Sequence, residues 1–155
     1  MKWLIPRRVK VFEALGCIAD GRIELSSNEA KVFSSSRGKF YTVILDFEKK
    51  VIMSNDNVSY WAGALGYPSI ALLMFKKILP FDERLASALK GIPWKDINQK
   101  YKNDFSKTEL EVFGVAQEKG VTQEELEEFG ELVLKKIKEL GLEYLGSKIT
   151  PPQGY

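Results

Sequence analysis

No histidine occurs anywhere in this 155-residue sequence, and cysteine occurs once, at Cys17. Without imidazole there is no Ser-His-Asp or Cys-His nucleophile, no histidine general base and no histidine-bound metal. A single thiol makes neither an intrachain disulfide nor a cysteine zinc cage. Long apolar runs are also missing. The longest, Ile70 to Phe75, is core-sized and falls far short of the ~18 residues of a membrane span. Met1 to Arg8 lacks the charged-then-apolar order of a signal peptide. These absences lead us to expect a cytoplasmic protein with no membrane segment, no metal and no other cofactor.

Charge imbalance is small. Lys and Arg number 23 against 21 Asp and Glu, a net of +2 that does not by itself argue for nucleic acid. Residues 1–75 carry 10 basic and 7 acidic side chains, and residues 76–155 carry 13 and 14. Neither half is a strong electrostatic footprint. What is present is ordinary for a folded domain: 45% apolar and 28% charged residues. Most of the charge rests on Lys and Glu, a thermophile-like pattern.

The first half alternates and the second half is helical. Val11, Phe12, Leu15, Ile18 and Ala19 recur at helical spacing, and Asp20-Gly21 closes that helix. Arg22 to Leu25, Ala30 to Ser36, Phe40 to Asp46 and Val51 to Ser54 read as strands of an antiparallel meander. Both faces of Phe40 to Asp46 are largely apolar, which predicts a central strand covered on both sides. From Pro68 a helix is predicted to run to Leu79, where Pro80 stops it. Shorter helices are expected over Asp82 to Lys90 and Trp94 to Lys102. Ser106 with Glu109 and Thr122 with Glu125 have capping-box spacing for two longer ones. In the last, about 123–140, Leu126, Phe129, Val133, Ile137 and Leu140 form one apolar face. Its Glu-rich start and Lys-rich end match the helix dipole. The fold class is therefore α+β: an N-terminal helix and small antiparallel meander (1–79), a helical lobe (80–146), and an extended tail (147–155), as one compact unit.

Candidate chemistry is sparse. Ser36 and Lys39 match the S-x-x-K spacing of some serine enzymes, but they sit at a hairpin turn without the companion motifs. Gly63 and Gly66 precede the Pro68 helix in the manner of an anion site at a helix start. Neither a Walker pattern nor a dinucleotide fingerprint accompanies them, and easing a loop into a buried helix explains them better. Asp46, Glu48, Asp56, Asp96 and Asp104 are carboxylates that no spacing forces together. Cys17 lies on an apolar helix beside Ile18 and reads as packing. The segment Trp94 to Lys102, with Lys107 beyond it, interleaves aromatics with lysines. That pattern suits phosphate neutralisation and base stacking, or simply an amphipathic helix burying Trp94, Ile97 and Tyr101.

One stretch resembles a SWIM domain. Ala30 to Ser36 and Lys39 to Phe47, with Phe40-Tyr41-Thr42-Val43, resemble its strand pair. Val51 to Asp56 falls where its C-x-C would fall, and Gly66 to Leu73 is similar to its run from C-x-H into an apolar helix. The resemblance implies a domain mediating DNA or protein contacts. At the four zinc-ligand positions stand Met53, Asn55, Tyr67 and Ser69, so a member of this kind would be zinc-less, with Tyr60, Trp61 and Tyr67 packing in place of the metal.

Together these observations favour a non-catalytic module binding protein or nucleic acid. The nucleic-acid contacts would come from Arg7, Arg8, Lys95, Lys100, Tyr101, Lys102 and Lys107, with Lys10 near the first pair. The alternatives are a small enzyme working with carboxylates and lysines, with or without magnesium, and a homo-oligomeric scaffold whose interface is the helical lobe.

Overall fold

The computed structural model describes residues 1–153; the last two positions of the predicted tail lie outside the described residues. The chain is α+β. Helix α1 (Val9–Ala19) is followed by strands β1 (Ile23–Ser26), β2 (Glu29–Phe33), β3 (Phe40–Asp46) and β4 (Val51–Ser54). One π-helical turn (Val58–Ala62) leads to α2 (Tyr67–Phe75). Then come α3 (Glu83–Ala88), α4 (Trp94–Lys100), α5 (Phe105–Glu118), α6 (Gln123–Leu140) and the short strand β5 (Glu143–Tyr144).

The four expected strands form an antiparallel meander, Ile23 facing Val32, Val32 facing Tyr41, and Val43 facing Ser54. The sheet then gains a fifth member. Strand β5 pairs parallel to β4, with Val51 opposite Glu143. Strand β3 is central, but it is fully covered on one face only. Tyr41, Val43 and Leu45 are buried, whereas Thr42 and Ile44 are half-buried and Phe40 is exposed. The apolar outer face is partly shielded by its own neighbours: Phe40 packs on the Phe33 ring at 5.9 Å and beneath Lys31 Nζ at 5.1 Å.

Helix α1 is the hub. Every residue from Val9 to Cys17 is buried, because α1 packs against α2, α3, α5 and α6. A single apolar core runs through these contacts, from Trp3 to Leu142.

Two helix ends differ from expectation. Helix α2 stops at Phe75 rather than Leu79, since Lys77 adopts a left-handed conformation before Pro80 is reached. Helix α5 begins after Asp104, with Ser106 already inside its first turn and no side-chain cap. Glu109 is drawn elsewhere, into a two-pronged pair with Arg8 at 2.8 and 3.0 Å. A charge-assisted fork of this kind outweighs a capping contact. Helix α6 has the capping box its sequence promised: Thr122 Oγ1 accepts from Glu125 N–H, and Glu125 reaches back to Thr122 N–H. Residues 147–153 form neither helix nor strand, and Lys148 Nζ donates to Tyr60 O at 3.2 Å.

Candidate functional site

Charged side chains are rarely buried without a partner, because losing hydration costs several kcal/mol per ion. Among the described residues four are buried: Lys10 (8% exposed), Glu13 (3%), Arg22 (2%) and Asp56 (4%). All four line one cavity of about 480 Å³. It lies between α1, the sheet and α4, and its volume is that of a small-molecule site.

Each wall is set by local structure. From α1 come Lys10 and Glu13, one turn apart on the same side of the helix. Glu13 Oε1 accepts from Asn98 Nδ2 at 2.8 Å, and Lys10 Nζ stands 2.8 Å from Glu13 Oε2 as an ion pair. Asn98 is itself oriented by Thr108, whose Oγ1 donates to Asn98 Oδ1 at 3.0 Å. Lys10 Nζ also lies 4.6 Å from the centre of the Phe105 ring, a favourable cation–π distance.

The sheet side supplies Arg22, Ser34, Ser35, Lys39 and Tyr41. Arg22 Nη1 donates to Phe33 O at 2.7 Å, and Nε approaches Asp20 Oδ2 at 3.3 Å. The β2–β3 turn is tied to α4 by Lys95 N–H donating to Ser35 Oγ at 3.0 Å. Lys39 lies 5.5 Å over the Tyr41 ring, and Arg22 lies 5.8 Å over Tyr67. Tyr67 retains partial exposure, yet desolvation pushes its phenol well above the ordinary value, against the opposing pull of Arg22. The hydroxyl therefore stays protonated and can donate.

Asp56 closes the cavity from the loop after β4. Its Oδ1 accepts from Ser59 Oγ at 2.6 Å and its Oδ2 from Ser59 N–H at 3.2 Å. The same carboxylate lies against Gly66, the residue that opens α2. A methyl group placed on Gly66 would sit 2.0 Å from Asp56 Oδ2. The protein's own carboxylate thus occupies this helix start, and Gly66 is small because Asp56 needs the room.

Chemically the cavity is better equipped to hold than to transform. Both oxygens of Glu13 and both of Asp56 are engaged by groups of the chain itself. Cys17 is buried, with its thiol pushed up to about 12 by desolvation, so it packs and does not react. Among the described residues no three His, Cys, Asp or Glu side chains gather as a metal site.

Of the seven residues suggested for nucleic acid, Lys95 alone reaches this cavity. Arg8 is surrounded by Glu109, Glu127 and Glu131, with nitrogen–oxygen distances of 2.8, 3.4 and 3.5 Å. Lys100 and Tyr101 both donate to Glu111, a contact that raises Lys100 and lowers Glu111. Lys107 lies 4.0 Å from Asp104, Arg7 lies 5.8 Å over Phe105, and Lys102 is exposed. The positions aligned with zinc ligands are scattered in role. Met53 and Ser69 are buried, Asn55 Oδ1 accepts from Thr42 N–H at 2.8 Å, and Tyr67 lines the cavity. Trp61 is largely exposed, with Tyr60 edge-on to it.

Sequence reading placed Lys10 with Arg7 and Arg8 as a surface cluster and gave Glu13 and Arg22 no role. A signal was present. Helix α1 is apolar nearly all round, so an opposite-charge pair at i,i+3 within it has to be buried or to face a cavity.

No curated protein and no solved structure matches the chain. No helix of the described residues is long and apolar enough to cross a membrane. A family model covers residues 3–143, a span that includes every cavity residue discussed above, and the chain accordingly belongs to the family described as Uncharacterised conserved protein UCP014422.

Proposed function

We propose that this protein binds a small anionic molecule in the cavity between α1, the sheet and α4. The observation that carries the reading is the concentration of the buried charged side chains of the described residues around one cavity. A buried ion pair stabilises a fold poorly compared with apolar packing of similar volume. Four such groups around one space are better explained by what the space holds. Cations are in excess: Lys10, Arg22, Lys39 and Lys95 face Glu13 and Asp56. Tyr67 adds a neutral donor.

Binding is favoured over acid–base catalysis because the two carboxylates that would move protons are held by Lys10, Asn98 and Ser59. The reading keeps the non-catalytic role expected from the sequence and makes the partner a small molecule. A cytoplasmic setting accords with a lone, buried thiol.

Calorimetric titration with orthophosphate, citrate and AMP tests it. At least one should bind at one site per chain, and the Lys39→Ala, Lys95→Ala double variant should weaken that binding at least tenfold. A bound probe at 100 times its Kd should also add about 2.7 kcal/mol of stability. No heat and no stabilisation with any of the three, or equal affinity in the double variant, would overturn the proposal.

A further inference from the structure

The cavity differs in character between its deep end and its opening. Glu13, Arg22, Asp56 and Trp94 lie buried, whereas Asn57, Gln99 and Asn103 are exposed where it meets solvent. Three separate stretches of chain bring these amides together. Asn57 stands just before the π-helical turn, Gln99 lies on α4, and Asn103 lies in the α4–α5 connection. Asn103 is held there by its own N–H, which donates to Asn98 O at 2.9 Å. Its backbone is left-handed, with φ 62°, a conformation that asparagine tolerates better than most side chains.

The neighbouring amide of Asn98 is spent within the chain, on Glu13 and Thr108. Those of Asn57, Gln99 and Asn103 bond to no other group among the described residues. A single exposed amide is satisfied by water. Three around one opening form a set of paired donors and acceptors. Ser35 adds to it: its Oγ accepts from Lys95 N–H at 3.0 Å and keeps its own proton to give.

The lining also lacks what most small-molecule sites have, a largely apolar wall. Val58 is the single aliphatic residue lining the cavity, so an alkyl or acyl body would gain little there. A volume of about 480 Å³ is also far more than a bare phosphate or carboxylate fills. The body that carries the charge must therefore be polar. Hydroxyls, which both donate and accept, match carboxamides, whose oxygen and NH2 together span hydroxyls on neighbouring carbons.

We propose, resting on the anion-binding reading above, that the ligand is a polyhydroxylated anion, a sugar phosphate or a sugar acid. Its hydroxyls are read by Asn57, Gln99 and Asn103, and its charged group lies deeper.

Calorimetric titration with matched pairs tests this. Glycerol 1-phosphate and n-propyl phosphate share charge and carbon number and differ in hydroxyls, as do gluconate and hexanoate. In at least one pair the hydroxylated member should bind about tenfold more tightly or better. A phosphate pair that discriminates marks a sugar phosphate, and a carboxylate pair a sugar acid. The Asn57→Ala, Gln99→Ala, Asn103→Gly triple variant should remove most of that advantage and leave any affinity for the hydroxyl-free partner unchanged. Glycine at 103 keeps the left-handed turn, and urea unfolding checks that the variant is folded. Equal binding within both pairs, or an advantage that survives the triple variant, would overturn the hydroxyl contacts and leave the anion reading standing. So would silence from all four while orthophosphate, citrate or AMP binds. Sorbitol matching gluconate would overturn the anion reading and leave the hydroxyl contacts. Silence from every probe would overturn both.

Discussion

Placing a methyl group on Gly66 tests how Asp56 is held. The group would lie 2.0 Å from Asp56 Oδ2, 2.6 Å from Cγ and 2.9 Å from Oδ1. Contacts this short force the carboxylate or the start of α2 to move, an overpacking cost of ~1–3 kcal/mol. The backbone itself tolerates alanine, since Gly66 has φ −83° and ψ 171°. Lower unfolded-state entropy would favour alanine by about 0.4–1 kcal/mol. Gly66→Ala should therefore cost about 1–2 kcal/mol net. Asp56→Ala removes two hydrogen bonds to a charged acceptor and an anion at the head of α2, for a loss of about 2–4 kcal/mol. With the carboxylate gone, the methyl group has nothing to strike. The double variant should then be about 1–3 kcal/mol more stable than the sum of the single losses predicts. Urea unfolding followed by far-UV circular dichroism, with matched m-values, measures all three variants. Additivity within about 0.5 kcal/mol would refute the contact.

Two further perturbations probe the same region. Glu13→Gln keeps the shape and the acceptor for Asn98 but strands Lys10 as a buried unpaired cation, at a cost of about 3–5 kcal/mol. Adding Lys10→Met should recover most of that loss in the same urea assay, and no recovery would show that the pair is not what holds this wall. Cys17 gives a pH signature. Its thiol titrates near pH 9 when unfolded and is pushed up to about 12 when folded. The folded state keeps this proton while the unfolded state gives it up, so the stabilisation is complete below about pH 9 and is lost as pH rises toward 12. The fall should be about 4 kcal/mol across that window, at 1.36 kcal/mol per unit. Cys17→Ala should flatten the slope by that share, and an unchanged alkaline limb would refute it.

Helix α6 was legible because one element carried the whole signal: an apolar face at three-and-four spacing, a capping box at Thr122 and a closing Gly141. The meander was legible for a similar reason, since each strand is bounded by turn residues. Strand β5 was not. Two residues carry no period, and their pairing depends on the chain returning to β4 after α6. Ser106 shows the converse. Its spacing to Glu109 was right for a cap, but a long-range partner, Arg8, claimed the glutamate. The cavity was illegible as a whole because it is assembled across distance. The Glu13–Asn98 bond spans 85 positions and the Ser35–Lys95 bond 60. The Lys10–Glu13 and Asp56–Ser59 contacts, each spanning three positions, are local, but neither alone outlines a cavity.

The missing histidine finally bears on how the cavity should behave. Imidazole is the side chain whose ordinary pKa falls between pH 5 and 8, and this chain has none. A binding site with a histidine would change its own charge in that window and confuse a pH titration of affinity. Here Arg22 remains a guanidinium throughout, and the hydroxyl of Tyr67 stays protonated because desolvation holds it above its ordinary range. A change of affinity between pH 5 and 7.5 would then report chiefly the protonation of the ligand. A phosphomonoester, whose second ionisation falls near pH 6, should show such a change. The same absence that removed most catalytic chemistry thus makes the cavity's pH response a direct reading of what it holds.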